Sequence, residues 1–241
     1  MIRFILVALT LLLYLLFGIP ILLIEWLISR WNPHFRDISC LRMVQAAFKL
    51  ILWFTGAHIT YIGRENIPKD QAVLYVGNHN SYFDILLTYS QCPGLTGYVA
   101  KSEMLRYPLL RDWMKRLYCL FLDRTDIRAG LQMIKTGIDY IKSGISICIF
   151  PEGTRSTDGK IQPFKEGSLK MASKTGCPII PIAITNSAEI FENHLPKVKP
   201  CRVIVEYGAP IHPKELTKEE QKFLGAYTQQ KIQEMLDRHS I

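Results

Sequence analysis

The segment AVLYVGNHNSYFD, residues 72–84, sets the interpretation of the whole chain. Its first six residues form a short apolar run, as a buried strand requires. Asn78 and His79 then fall in a turn, and Ser81 can cap a helix that starts there. In α/β proteins, catalytic groups collect where strands end and helices begin. The segment therefore predicts a buried strand, a turn that carries polar side chains, and a helix.

Similar apolar runs recur on the C-terminal side of this segment. They cover residues 118–122, 145–150, 179–184 and 202–207. A helical pattern over residues 127–142 places isoleucine or leucine at intervals of three and four, with Asp126 as its cap and Gly144 at its end. Alternation of strands and helices predicts an α/β fold with a mixed, mostly parallel sheet layered with helices.

Two further helices are predicted after this one. A short helix is expected over residues 164–172. A C-terminal amphipathic helix is expected over residues 219–238, opened by a capping box at Thr217 and Glu220. No repeat or second globular domain interrupts the pattern.

The charge of the chain limits its partners. Its 241 residues carry a formal charge of +8, and 49% of them are hydrophobic. A basic balance suits an anionic bilayer or an anionic substrate. Nucleic acid is not expected, because the chain has neither an Arg/Lys-rich tail nor zinc-finger spacing. The six cysteines form no C-x-x-C pair, so neither a disulfide framework nor a metal site is expected.

The N-terminus predicts a membrane anchor. No charged residue occurs from position 4 to position 24, a length of 21 residues. About 20 apolar residues cross a bilayer core as a helix. Gly18 and Pro20 allow a kink or a re-entrant helical pair, and a buried core helix is the alternative. Four residues after the run resemble an interfacial border, namely Glu25, Trp26, Arg30 and Trp31.

The segment after the apolar run is basic. Arg30, Arg36, Arg42 and Lys49 follow the run, whereas only Arg3 precedes it. By the positive-inside rule, the bulk of the protein is expected on the cytoplasmic side of a cell inner membrane. Residues 41–62 predict an amphipathic helix that either lies on the membrane or packs on the domain, with Gln45 outside its apolar stripe. We therefore predict an anchor and amphipathic region over residues 1–62 and a main domain over residues 63–241.

The turn after the first strand carries a base and a carboxylate. On one continuous helix, His79 and Asp84 would point about 140° apart, because each residue turns about 100°. With His79 in the turn and Asp84 in the first helical turn, the two side chains can meet. The carboxylate would then orient one imidazole nitrogen and leave the other free as a base. The alternative is that Asp84 only completes a capping box with Ser81.

A second polar block, FPEGTRS, follows the run at residues 145–150. Gly153 permits a bend that other residues resist. The planar guanidinium of Arg155 suits a phosphate. Glu152 can accept a hydrogen bond from a hydroxyl or hold an arginine in place. The alternative is a plain turn with a surface ion pair. Lys101 and Arg124 also stand near strand ends, where each either lines the same pocket or is a solvated surface charge.

These blocks resemble the glycerolipid acyltransferase family, and within it the 1-acylglycerol-3-phosphate acyltransferases, over roughly residues 72–185. The first family motif is met by Asn78, His79 and Asp84. The third, FPEGTRS, is met at every position of residues 150–156. The fourth, a Val/Ile-Pro-Val/Ile stretch, appears as IPI at residues 180–182.

The second motif is met less completely. Phe121, Asp123 and Arg124 match it, but Tyr118 stands where the family has glycine, which leaves the shape of the pocket open there. Upstream, the KSEM element that begins at Lys101 is similar to the Lys-x-Glu-Leu element of the family.

The resemblance implies a reaction and roles for these residues. His79, oriented by Asp84, would deprotonate the free sn-2 hydroxyl of 1-acylglycerol 3-phosphate. The oxygen would attack the thioester of acyl-CoA or acyl carrier protein, and phosphatidic acid would form. The acceptor phosphate would be held by six residues: Lys101, Arg124, Glu152, Gly153, Thr154 and Arg155. The implied reaction needs no metal or cofactor beyond the thioester co-substrate.

Three alternatives stay open. The acceptor could be glycerol 3-phosphate, another lysophospholipid or a lyso-aminolipid. A membrane-bound thioesterase or lipase would need a Gly-x-Ser-x-Gly elbow, and the segment from Gly144 to Cys148 lacks the final glycine. A lipid-binding adaptor would keep the fold without the chemistry.

Overall fold

In a computed structural model, which describes residues 1–239, the chain folds around one seven-stranded sheet. The strands are β1 (His58–Ile62), β2 (Leu74–Gly77), β3 (Thr96–Lys101), β4 (Leu120–Leu122), β5 (Ser146–Ile149), β6 (Ile179–Thr185) and β7 (Arg202–Tyr207). Their spatial order is β1-β7-β6-β2-β5-β3-β4. Among these seven strands, the pair of β6 and β7 is antiparallel and every other pair is parallel. The predicted α/β fold with a mixed, mostly parallel sheet is confirmed.

Helices cover both faces of the sheet. They are α1 (Ile2–Ile28), α2 (Pro33–Thr55), α3 (Phe83–Tyr89), α4 (Pro108–Arg116), α5 (Ile127–Lys142), α6 (Lys170–Thr175), α7 (Lys218–Lys222) and α8 (Leu224–Asp237). Asp126 caps α5 through the backbone N–H of Arg128, and Thr217 and Glu220 form the predicted capping box of α7. Short 3₁₀ turns complete several connections, including Ser102–Arg106 and Glu192–His194.

Alternate residues of the central strand serve two hydrophobic cores. Tyr75 of β2 lies in the core under α2, α3 and α4, together with Leu41 and Leu87. Leu74 and Val76 lie in the core on the opposite face, under α5, α6 and α8. Successive side chains of a strand point to opposite faces. This explains why the run at residues 72–77 is continuously apolar.

The C-terminal ends of the parallel strands meet at one edge of the sheet. Strands β2, β5, β3 and β4 are parallel neighbours in that order, and β6 is parallel to β2 on its other side. The turns that follow these strands therefore lie side by side. This edge brings together the polar blocks that are far apart in the chain.

The region before the sheet differs from the sequence-based expectation. The helix predicted over residues 41–62 ends at Thr55, and His58–Ile62 form β1, which pairs with β7 at the edge of the sheet. The predicted apolar stripe is also wrong, because Leu50 is exposed and Gln45 is buried. The amide of Gln45 donates to the carbonyls of Tyr89 and Cys92 at 3.1 and 2.8 Å. Satisfied hydrogen bonds allow this polar side chain to occupy the core.

Helix α1 is continuous through Gly18 and Pro20. Gly18 permits a close approach, since a Cβ there would lie 2.7 Å from Nε1 of Trp113 in α4. Glu25 does not form the expected interfacial border. It is buried and accepts from Oγ of Ser39 in α2 at 2.6 Å. Helices α1 and α2 thus pack as an antiparallel pair that also contacts the α/β domain.

Candidate active site

His79 follows the end of β2, and its ring contacts the carboxylate of Asp84. The distance from Nδ1 to Oδ2 is 2.8 Å. The imidazole stacks on Phe150 with ring centroids 4.4 Å apart, and its side chain is 16% exposed. The ring is therefore oriented on two sides while Nε2 forms no hydrogen bond within residues 1–239. This is the arrangement of a general base with an orienting carboxylate.

Asp84 also stabilises the start of α3. Its Oδ2 accepts from the backbone N–H groups of Asn80 and Ser81 at 2.7 and 2.8 Å, and Oγ of Ser81 accepts from the N–H of Phe83. The side chain is fully buried. The two interpretations of Asp84 are therefore compatible. The capping contacts fix the carboxylate in the position from which it orients His79.

The turn that carries His79 is held at its backbone. The side chain of Asn78 bonds to the N–H and the carbonyl of Ile184 at 2.8 and 2.9 Å, which continues the β2–β6 pairing beyond the strand. The carbonyl of His79 accepts from the N–H of Ser156 at 2.8 Å. The His79 turn is thus joined to β6 and to the segment that follows β5.

Glu152 joins the two polar blocks. Its Oε1 accepts from the N–H of His79 at 2.7 Å, and its Oε2 accepts from the N–H of Gln162 at 2.8 Å. Burial raises the pKa of the Glu152 carboxyl, and these two hydrogen bonds oppose the rise. Both oxygens are engaged within the protein. The geometry places Glu152 as a tether of the His79 turn.

Gly153 and Thr154 form the tip of the second block. Gly153 has a φ of +78°, which L side chains rarely adopt. A Cβ at this position would also lie 2.9 Å from Nζ of Lys165. Thr154 is exposed. The turn therefore presents backbone and a lysine ammonium to solvent, and the sequence-based interpretation did not single out Lys165.

Arg155 lies beside the helix that starts after His79. Its guanidinium carbon is 3.6 Å from the centroid of the Tyr82 ring, and its Nη1 donates to Oε1 of Glu192 at 3.3 Å. Glu192 also accepts from the N–H of Tyr82 and from Oγ of Ser81. Sequence reasoning missed Glu192, because no motif marks it and it is far from its partners in the chain.

Lys101 and Arg124 lie along the same edge of the sheet but further from His79. Lys101 ends β3 and pairs with Leu122 of β4, two residues before Arg124. With strands about 4.8 Å apart, β3 and β4 lie about 10 and 14 Å from β2. Both side chains are exposed, and neither forms an ion pair within residues 1–239. Both are free to extend toward an anion bound at the edge.

Tyr118 occupies the position where the resembling family has glycine. Its φ is +59°, a left-handed backbone conformation with an expected cost of about 1–2 kcal/mol. The phenol donates to Asp37 of α2, and the ring meets Tyr140 edge-on at 5.3 Å. These contacts stabilise the strained residue and join the β3–β4 region to α2.

The serine nearest to a hydrolase elbow lies away from this site. Ser146 begins β5, and its Oγ accepts from the N–H of Val73 at 3.1 Å. Val73 precedes His79 by six residues, which is about 20 Å along a strand. Ser146 is 8% exposed. The structure thus provides no contact between Ser146 and His79, and the hydrolase alternative loses its nucleophile.

Several known proteins are similar to this chain in sequence. A family model described as "Acyltransferase" matches residues 58–185. The chain is 38% identical over 152 residues to a 1-acyl-sn-glycerol-3-phosphate acyltransferase of Borreliella burgdorferi, covering 62% of this chain and 60% of the relative. It is 32% identical over 198 residues to a probable 1-acyl-sn-glycerol-3-phosphate acyltransferase of Mycoplasma pneumoniae, covering 77% and 72%.

A solved structure has a similar fold. The 1-acyl-sn-glycerophosphate (LPA) acyltransferase PlsC from Thermotoga maritima superposes with a TM-score of 0.83 at 24% identity, covering 98% of this chain and 95% of the other. The chain spans about 60% of the length of the first curated relatives that it matches. The family match covers more than half of the chain and includes both polar blocks. The chain therefore belongs to the acyltransferase family.

Proposed function

We propose that the chain transfers a fatty acyl group from a thioester, acyl-CoA or acyl carrier protein, to the free sn-2 hydroxyl of 1-acylglycerol 3-phosphate. The observation that supports this most directly is the 2.8 Å contact between Nδ1 of His79 and Asp84, on a turn tethered to the Glu152–Arg155 block. This contact supports a base at His79, and the tethered block carries a cationic side chain that suits phosphate. The names of the relatives agree with this acceptor.

The reaction proceeds by direct attack. Nε2 of His79 takes the proton of the acceptor hydroxyl as the oxygen bonds to the thioester carbonyl carbon. The tetrahedral intermediate collapses with loss of the thiolate, which takes the proton back from His79. The products are phosphatidic acid and a free thiol, and the enzyme returns to its starting state. Asp84 stabilises the imidazolium that forms between the two steps.

The oxyanion of the intermediate needs hydrogen-bond donors. The backbone N–H groups of Thr154 and Arg155 donate to no acceptor within residues 1–239, whereas the N–H of Gly153 donates to Phe150. We assign the two free groups as oxyanion donors. The cations for the acceptor phosphate are Arg155, Lys101 and Arg124. Gly153 has no side chain, so the substrate can approach the backbone of the turn closely.

The activity is tested with the purified full chain in detergent. A panel of acceptors, each with an acyl thioester, is incubated with the protein, and the products are identified by mass. The acceptors are 1-acylglycerol 3-phosphate, glycerol 3-phosphate, a lysophospholipid with an esterified phosphate, and a lyso-aminolipid. We expect phosphatidic acid as the main product. Release of free fatty acid alone would identify a hydrolase, and acceptor binding without turnover would identify an adaptor.

Replacing Arg155 by alanine is expected to raise the KM for 1-acylglycerol 3-phosphate about 10–100-fold, because a charge-assisted contact to phosphate contributes about 1.5–3 kcal/mol. The thioester KM is expected to change less than threefold. Steady-state kinetics with each substrate varied in turn measure both effects. Arg64→Ala is the matched control, since Arg64 is exposed and its side chain donates to Gln91 alone within residues 1–239. An effect confined to the thioester would reassign Arg155.

We also propose that α1 lies in one leaflet of the membrane. Helices α1 and α2 are long and apolar enough to cross a bilayer by length and composition. Yet α1 contacts the α/β domain along its length: Phe4 stacks on Phe191, Tyr14 packs on Trp113, and the carbonyl of Leu22 accepts from Arg116. A helix that crosses the bilayer would leave a water-soluble domain at one end. Most of the other exposed side chains of α1 are apolar, including Leu9 and Leu16, and suit contact with lipid.

This placement predicts the labelling of the two ends of the helix. Ile2 and Trp31 are both exposed, so cysteine at either position can react with a membrane-impermeant maleimide. In sealed vesicles with the α/β domain outside, we expect Ile2→Cys and Trp31→Cys to be labelled equally. Detergent-opened vesicles supply the maximum signal for each. Labelling of only Trp31→Cys would show that α1 spans the bilayer. Because basic residues are enriched after the apolar run, the positive-inside rule puts the α/β domain on the cytoplasmic side of the membrane.

A further inference from the structure

Glu192 places a carboxylate inside the cationic part of the site. It belongs to the 3₁₀ turn Glu192–His194, in the connection between β6 and β7. Its side chain is 16% exposed and accepts three hydrogen bonds. The donors are Oγ of Ser81 at 2.7 Å, the N–H of Tyr82 at 2.7 Å and Nη1 of Arg155 at 3.3 Å. One side chain thus joins the start of α3 to the second polar block.

A negative charge beside Arg155 opposes the binding of an anion by simple Coulomb repulsion. The contact is nevertheless monodentate, since only Nη1 reaches Glu192. The guanidinium has five N–H donors in a fixed plane, so most of them stay free for a phosphate. The ring of Tyr82 covers one face of that plane at 3.6 Å. Arg155 is therefore held on one edge and one face, and its other edge is open.

We infer that Glu192 is a positioning residue that holds the guanidinium of Arg155 in the orientation in which it receives the acceptor phosphate. Glu192 lies next to α3, whose first turn carries Asp84. The same carboxylate therefore fixes the phosphate-binding arginine relative to the base. An arginine held in advance loses less side-chain entropy when the phosphate binds. This inference rests on the proposed function, because it assigns Glu192 to the acceptor of that reaction.

The variant Glu192→Gln removes the negative charge of this side chain. Glutamine has nearly the same shape, and its carbonyl can still accept from the N–H of Tyr82 and from Nη1 of Arg155. Its amide can donate to Oγ of Ser81, so the Ser81 hydroxyl loses its acceptor and the contact with Arg155 loses its charge. We expect kcat/KM for 1-acylglycerol 3-phosphate to fall about 5–20-fold through KM, with kcat and the thioester KM within twofold of wild type. Glu189→Gln is the control, since Glu189 pairs with His194 and Asn193 outside the site.

A double-mutant cycle shows whether the effect passes through Arg155. In an Arg155→Ala background, we expect Glu192→Gln to change kcat/KM for the acceptor less than twofold. The same loss in both backgrounds would overturn the inference and make Glu192 a purely structural residue. An unchanged or improved acceptor KM in the single variant would also overturn it, because Glu192 would then merely compete with phosphate.

Two further measurements keep the outcomes distinct. If Glu192→Gln does not fold, as judged by its melting temperature, Glu192→Asp replaces it. That variant keeps the charge but is one methylene shorter, so we expect it to weaken acceptor binding as well. Wild-type acceptor binding by Glu192→Asp would count against the inference. If the wild-type protein transfers no acyl group to any acceptor, the proposed function fails before the role of Glu192 is tested.

Discussion

Alanine in place of His79 should lower kcat by about 10²–10⁴-fold, the usual contribution of a general base. The structure gives a specific reason, since the imidazole is the only titratable side chain that Asp84 contacts at the end of β2 within residues 1–239. The ring is only 16% exposed, but it bonds to a single side chain and stacks on one ring. Its removal should therefore leave the melting temperature within a few degrees of wild type.

The measurement is single-turnover and steady-state acyl transfer, with the melting temperature recorded alongside. His239→Ala is the matched control. His239 also pairs with a carboxylate, because its Nε2 lies 2.8 Å from Glu206, but Glu206 belongs to β7 and His239 follows α8. We expect the control to retain activity within threefold of wild type. Activity of His79→Ala in the same range would remove His79 from the mechanism.

Substitutions of Asp84 should separate its role in orienting His79 from its role as a counter-charge to the imidazolium. Oδ2 accepts from Nδ1 of His79 and from two backbone N–H groups, whereas Oδ1 has no partner within residues 1–239. Asparagine can place its carbonyl oxygen at the Oδ2 position and keep all three contacts. We therefore expect Asp84→Asn to lose about 10²-fold in kcat through the missing counter-charge to the imidazolium.

Asp84→Ala should lose both stability and activity. One buried and two partly buried donors lose their acceptor, so we expect the free energy of unfolding to fall by about 2–5 kcal/mol. Activity should fall at least as far as in Asp84→Asn. Asp126→Asn is the control, because Asp126 caps α5 through a comparable backbone contact outside the site. A stable Asp84→Asn with nearly normal kcat would leave Asp84 as a helix cap alone.

Local patterns predicted most of the secondary structure around the site. The run at residues 72–77, the turn at His79 and the helix that follows are all present. Helix α5 has the predicted bounds and cap. These features depend on neighbours within a few residues, such as an apolar run ended by a turn or a carboxylate at a helix start. Such interactions involve residues that are close together in the sequence.

Predictions failed where a residue's environment depends on distant segments. The pattern of residues 41–62 predicts a helix that includes β1, but HITYI forms a strand because it pairs with β7, about 140 residues later. The same pattern predicts Gln45 outside the apolar stripe, but carbonyls at and just after the end of α3 accept from its amide. Glu192 escaped notice because its three partners lie 37 to 111 residues away.

The contact between His79 and Asp84 was predictable, because the two residues are five apart in sequence and a turn between them lets their side chains meet. The contact between the His79 turn and Glu152 of the block that carries Arg155 was not predictable, because it required the order of the strands. Parallel pairing of β2 with β5 brings the ends of both strands to one edge and so joins segments about seventy residues apart. Chemical groups are set by the residues themselves, whereas their separation in space is set by hydrogen bonds and packing between remote segments.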